Sequence, residues 1–167
     1  TSTNINDLTA SICTRIKGIW NVDVAGMVIW NNKKSEYSLF PPGAFEMQII
    51  HKLDVALTKS DYLVKALQSE RRLFNYGVIL SDEVEVYCNH AISGEKITFR
   101  KISRSMRWLG ATICVPIMFQ NDLMAFLALG SKKSGQSYNK EDKKILSHLG
   151  EMISSSASAN QLLINIP

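Results

Sequence analysis

From Ile5 to Trp20, apolar side chains return at Ile5, Leu8, Ile12, Ile16 and Ile19, three or four residues apart. That spacing is the stripe of an amphipathic helix. The run from Val24 to Trp30 is short, apolar and rich in β-branched residues, and it is followed by the polar Asn31-Asn32-Lys33-Lys34-Ser35. A strand, a turn and a second, shorter strand from Glu36 to Phe40 are predicted there. Pro41-Pro42-Gly43 interrupts regular structure, because proline lacks an amide donor and restricts the residue before it. Beyond it, Met47, Ile50, Leu53 and Leu57 repeat as one face of a second helix, and Tyr62, Leu63, Ala66 and Leu67 mark a third. Val78, Leu80, Val84 and Val86 alternate with polar residues and read as a hairpin turning at Ser81-Asp82-Glu83.

Thr98 is placed to cap a helix running to about Leu109, with Ile102, Met106 and Leu109 on one side and Gly110 where a left-handed residue ends helices. Thr112 to Phe119 and Leu123 to Leu129 are two apolar segments joined by Gln120-Asn121-Asp122, a loop of hairpin length. Strands this apolar belong in mid-sheet, and Pro116 inside the first predicts a bulge or bend. Asn139, with Asp142 three residues on, starts a last helix expected to reach about Leu163, its inner face carrying Ile145, Leu149, Met152, Ile153, Ser156 and Leu163. The order of elements predicts an α+β domain, a central antiparallel sheet with helices on both faces. One domain is expected over 1–167: an N-terminal helix in 1–21, sheet and covering helices in 22–138, and a C-terminal helix in 139–165.

Composition narrows the class without changing this picture. The 167 residues are 46% hydrophobic and 20% charged, proportions of a folded globular domain. The chain starts at Thr1, shows no signal-peptide pattern and has no apolar run long enough to span a bilayer. It therefore reads as a piece excised from a larger protein that is itself free to be membrane-anchored elsewhere, with no membrane contact by this fragment. Cys13, Cys88 and Cys114 are odd in number and lack CxxC spacing, which argues against a disulfide framework or zinc knuckle and for a reducing cytoplasm. The net charge of +4 comes from scattered pairs such as Lys33-Lys34, Arg71-Arg72, Lys132-Lys133 and Lys143-Lys144, a solvated surface with no nucleic-acid footprint.

The segment from Leu109 through Val115-Pro116-Ile117, then Leu123 to Gly130, then Ser131-Lys132-Lys133 to Tyr138 and Asp142, resembles the second half of a GAF domain of bacterial signalling proteins such as sensor histidine kinases. The Asn-Lys, Phe, Asp-Glu signature of cyclic-nucleotide GAF domains is partly kept: Ser131, Lys132, Tyr138 and Asp142 stand at its positions, and Lys143 reverses the charge of its Glu. The resemblance implies that Lys132 and Asp142 form a structural salt bridge pinning the last hairpin to the long helix. The helix dipole favours Asp142 in a first turn independently of that partner. The first half of the chain matches less sharply.

The resemblance also places a ligand pocket between the sheet and the covering segments from about Phe74 to Arg107. Phe74, Tyr76, Tyr87 and Trp108 are candidate walls for a flat ligand, against plain core as the alternative. Cys88 and His90 bring haem, iron or a linked bilin to mind, although bilin-type surroundings are absent and a half-buried thiol beside a loop histidine explains them. Lys96, Arg100, Arg104 and Arg107 share one helical face able to cradle a phosphate, but that face lies opposite Ile102, Met106 and Leu109 and is expected in water, with Arg107 nearest a pocket rim. His148 has no phospho-acceptor context. No metal site and no catalytic residue is expected, and the cofactor is unknown.

The resemblance implies a sensor domain that binds a small molecule, forms a homodimer through its terminal helices, and controls an attached kinase, cyclase, phosphatase or chemotaxis module. A ligand-free dimerisation module is the alternative. A free methionine sulfoxide reductase-like enzyme is a third, and it requires a cluster of thiols beside a pocket.

Overall fold

The computed structural model describes residues 4–41, 44, 57–69 and 73–156. Helix α1 spans Ile5–Trp20, as its apolar stripe predicts, with the Asn4 side chain accepting from the Asp7 amide and Asn21 closing it in the left-handed region. Strands β1 (Ala25–Asn31) and β2 (Glu36–Phe40) form the first hairpin. Helix α2 covers Tyr62–Gln68, capped by the Asp61 carboxylate on the Leu63 amide. A 3-10 turn at Asn75–Gly77 leads into the two-residue strand β3 (Ile79–Leu80). Helices α3 (Ser81–His90) and α4 (Ser93–Leu109), strands β4 (Ile113–Phe119) and β5 (Asp122–Leu129), and helix α5 (Lys140–Ser155) complete the chain.

The five strands form an antiparallel sheet in the order β2-β1-β5-β4-β3. The β4–β5 hairpin is thus central, and residue alternation sends its side chains to two separate cores. Met27, Ile29, Val115, Ile117, Leu127 and Leu129 face α1 and α5, where Cys13, Ile16, Leu146 and Ile153 meet them. Val28, Cys114, Phe126 and Ala128 face α2 and α4, packing with Leu63, Leu67, Ile102, Met106 and Leu109. The architecture is α+β with helices on both faces, and the two terminal helices share one core. Among the described residues no helix is long and apolar enough to cross a membrane.

Pro116 is tolerated because β3 reaches only Cys114 and Ile113, so the missing amide of Pro116 faces no neighbouring strand. The expected irregularity falls beside it, between Ile117 and Met118.

Three elements differ from the sequence expectation. The predicted hairpin at 78–86 is a two-residue strand followed by helix α3. Val84 is buried while Val86 is 57% exposed, the separation of two residues on a helix. The acidic residues taken for a turn, Asp82 and Glu83, sit in the first helical turn, where the dipole favours them. Helix α4 begins at Ser93, so Thr98 is inside it and caps nothing. Helix α5 stops at Ser155, short of Leu163, with Ser156 extended. There the Ser154 hydroxyl donates to the Met118 carbonyl and Ser155 to the Glu151 carbonyl, competition of the kind that makes serine a weak helix former. The helix expected from Met47 lies outside the described residues up to its last position, and Leu57 itself bridges Tyr37 in extended form.

Candidate functional site

Helix α4 presents Thr98, Phe99 and Ile102 toward α2, and the three lie at spacings that share a helical face. With Ala66 of α2, Leu73 and Phe74, they line a cavity of about 190 Å³, closed on one side by the backbone of Gly77. Tyr87 of α3 stacks on Phe99 at 5.7 Å between ring centroids, and meets Phe74 edge-on at 5.5 Å. Phe74 is buried, whereas Leu73 at the mouth is 52% exposed. The cavity wall is therefore chiefly apolar, with Ser69 and Thr98 as its polar side chains.

Phe74 and Tyr87 are in contact, with Phe74 alone of the two on the cavity wall, but Tyr76 does not join them. Its backbone is in the left-handed region (φ 60). Its ring packs with the opposite core, under α5, and its carbonyl accepts from the Ser147 hydroxyl at 3.3 Å. Cys88 is half-buried, with its thiol 3.9 Å from the Lys96 carbonyl. His90 is exposed and its Nδ1 lies 2.9 Å from the Val86 carbonyl, within the last turn of α3. Trp108 is half-buried and carries the Arg104 guanidinium 5.0 Å from its ring centre. Arg100, Arg104 and Arg107 are exposed, as their position opposite the apolar stripe predicts, and line a separate groove between α3 and α4. Thr98, Phe99 and Ala66 are not among the site residues the sequence suggests. Phe99 had a signal, since it continues the Ile102, Met106, Leu109 stripe one turn earlier; Ala66 is marked only as part of an apolar helical face, and Thr98 carries no mark of a cavity position.

The far side of the sheet carries the motif of the GAF resemblance. Lys132 Nζ lies 2.7 Å from Asp142 Oδ2, and Asp142 also accepts from the Asn139 amide while Asn139 accepts from the Asp142 amide, a full capping box at the start of α5. Tyr138 donates to the Gly130 carbonyl at 2.8 Å. Burial, aided by the neighbouring Asp142 carboxylate, pushes its hydroxyl pKa well above the ordinary tyrosine range. Lys132 is 5.2 Å above the Tyr138 ring, and Trp20 at the end of α1 approaches the same ring at 6.3 Å. These residues join hairpin, loop and both terminal helices.

Next to them, Lys143 is only 5% exposed and pairs with Glu83 in the first turn of α3. The thiols are dispersed. Cys13 lies in the core under α1 and α5, Cys114 on the opposite face of the sheet, and Cys88 on α3. Burial raises the Cys13 thiol to about 11, Lys17 offsetting part of the rise, and pushes Cys114 up further. The described residues contain no group of three or more His, Cys, Asp or Glu arranged to hold a metal ion.

No protein-family profile matches the sequence, and no curated protein matches it. Solved structures do match. The GAF domain of an Acinetobacter phosphoenolpyruvate-protein phosphotransferase superposes with a TM-score of 0.58 at 14% identity, over 100% of this chain and 89% of that one. Residues 122 to 287 of a methyl-accepting chemotaxis protein superpose with a TM-score of 0.61 at 15% identity, over 96% of this chain and 92% of that one. The chain has the GAF fold, and it shares that fold with domains of signalling proteins.

Proposed function

We propose that this GAF-fold domain is a regulatory sensor whose cavity beneath α4 takes a small, mainly apolar ligand and relays its presence to α5. The observation that supports this most directly is the turn at 74–77. Phe74 and Gly77 line the cavity, while Tyr76 between them lies under α5 with its carbonyl bonded to Ser147. A guest that displaces Phe74 acts two residues from the Tyr76 carbonyl, an α5 contact. The Glu83–Lys143 pair adds a second link, from α3 to α5. A ligand shifts such an equilibrium only by its differential affinity for the two arrangements. Apolar cavities of about 150 Å³ hold molecules the size of benzene, so a one- or two-ring compound with a single polar group fits the chemistry here.

The attached output is a kinase, cyclase, phosphatase or chemotaxis module in a cytoplasmic, bacterial two-component setting, and the domain acts by regulation with no reaction of its own. Titration with indole and phenol, followed by the unfolding midpoint and by amide shifts, tests the sensor reading. Saturable binding that moves the signals of Ser147 and Glu151 is expected, together with its loss in Ala66→Phe, which fills the cavity. No binding across a panel of such rings, or binding that leaves α5 unmoved, refutes it.

The second reading, a ligand-free dimerisation module, rests on Ile145 and Met152, exposed seven residues apart on α5 and so on one helical face, and on exposed Ile19 at the end of α1. A homodimer through these helices predicts a dimer by sedimentation that Ile145→Glu/Met152→Glu converts to monomer.

A further inference from the structure

The groove between α3 and α4 is a different place from the cavity, on the other side of α4. We infer that it is a binding site for a phosphate monoester, recognised by three arginines. Arg100, Arg104 and Arg107 lie within a narrow arc of one helix, at i, i+4 and i+7. They form one wall of a groove of about 410 Å³, with Ser103 beside them and Asn89 and Glu85 contributed by α3. The ion pairs among the described residues engage Lys132, Lys133, Lys143 and His148, so none of these three guanidinium groups is neutralised by a described carboxylate. Arginine forks gathered on a concave surface suit an anion, because each fork matches two oxygens of a phosphate group. Arg104 is already held over Trp108, which lowers the ordering cost on binding. The Asn89 amide and Ser103 hydroxyl add neutral donors for the remaining oxygens, and three cations against the single carboxylate of Glu85 leave the groove positive. The dianionic phosphate of a monoester, with three acceptor oxygens, satisfies this set better than a lone carboxylate does.

The inference does not depend on the sensor reading, since it concerns direct binding. Inorganic phosphate, phenyl phosphate and vesicles carrying phosphatidic acid in phosphatidylcholine are titrated against the whole chain by calorimetry or flotation, with the unfolding midpoint as a second readout. Saturable binding to any of the three is expected, and the vesicle arm distinguishes a lipid headgroup from a soluble monoester. Arg100→Gln/Arg107→Gln weakens it by at least about tenfold, Glu85→Gln tightens it, and Lys33→Gln/Lys34→Gln, the same change of net charge elsewhere, leaves it intact. Both arginines are exposed, so the variants fold, as their unfolding midpoints without ligand would verify. Absence of saturable binding in every arm, or equal weakening by the Lys33/Lys34 control, overturns the assignment.

Discussion

On one face of the sheet, α5 adds contacts with backbone atoms to the apolar packing of Leu146 and Ile153. Gly150 lies so close to β4 that an added Cβ would stand 2.6 Å from the Pro116 carbonyl oxygen, and Ser147 and Ser154 donate to the carbonyls of Tyr76 and Met118. On the other face, α4 rests on the side chains of Ile102, Met106 and Leu109, and its hydrogen bond to α2 joins two side chains, Ser105 Oγ and Asp61 Oδ2, at 2.8 Å. Backbone contacts are directional and define one position for a helix, whereas apolar packing is non-directional and tolerates small shifts. The difference fits the sensor role proposed above, in which the covering helix adjusts to a guest and the terminal helix holds a defined position.

The contrast is most exposed to failure at Gly150. Helix propensity alone has Gly150→Ala gaining about 1 kcal/mol. Contact with a backbone oxygen that cannot rotate away predicts instead a net loss of about 3 kcal/mol by urea unfolding, and a gain would show that α5 is not closely docked. Lys143→Met, which leaves Glu83 without its partner, is expected to cost about 2 kcal/mol, below the range for a fully buried pair because Glu83 retains some water. Combining it with Glu83→Leu should recover most of that loss, and failure to recover would mean the lysine acts through packing alone.

Alkaline pH sharpens the comparison next. Burial holds the proton on Cys13 up to about 11, against 9.0 for a free thiol. The folded state then keeps a proton the unfolded chain releases, so stability is complete below about pH 9 and falls by about 2 kcal/mol as pH rises through 11. Cys114, Tyr37 and Tyr138 are shifted in the same direction and steepen the fall. Denaturant midpoints from pH 8 upward check this, and Cys13→Ala should flatten the curve. The smallest effect is expected on the α4 face: Ser105→Ala should cost about 1 kcal/mol, because Asp61 keeps its cap on the Leu63 amide. A loss as large as that of Gly150→Ala would erase the distinction between the two faces.

Elements whose local signals agree are legible in the sequence. The stripe of α1, the β4–β5 hairpin, Gly110 as a left-handed helix end and the Asn139 cap are where the pattern places them, because periodicity and capping act within a few residues. Helix α3 was missed where Val78, Leu80, Val84 and Val86 fit a two-residue period by coincidence. The buried Val84 and half-buried Tyr87 and Cys88, at helical spacing, carried the competing signal.

Of the candidate site, Phe74 lines the cavity, Tyr87 packs against it without lining it, and Tyr76, a candidate for the same wall, lies elsewhere. A left-handed backbone at Tyr76 turns it to the other side of the sheet. The sequence by itself determined most of the elements and the alternation that builds two cores on one sheet, and the GAF resemblance supplied the Lys132–Asp142 link. Tertiary structure decided that Lys143 is buried, that Glu83 partners it from 60 positions away, and that Phe99, Thr98 and Ala66 enclose a cavity. These depend on which helices meet across the sheet, and spacing along one chain segment carries no information about a partner far from it in sequence.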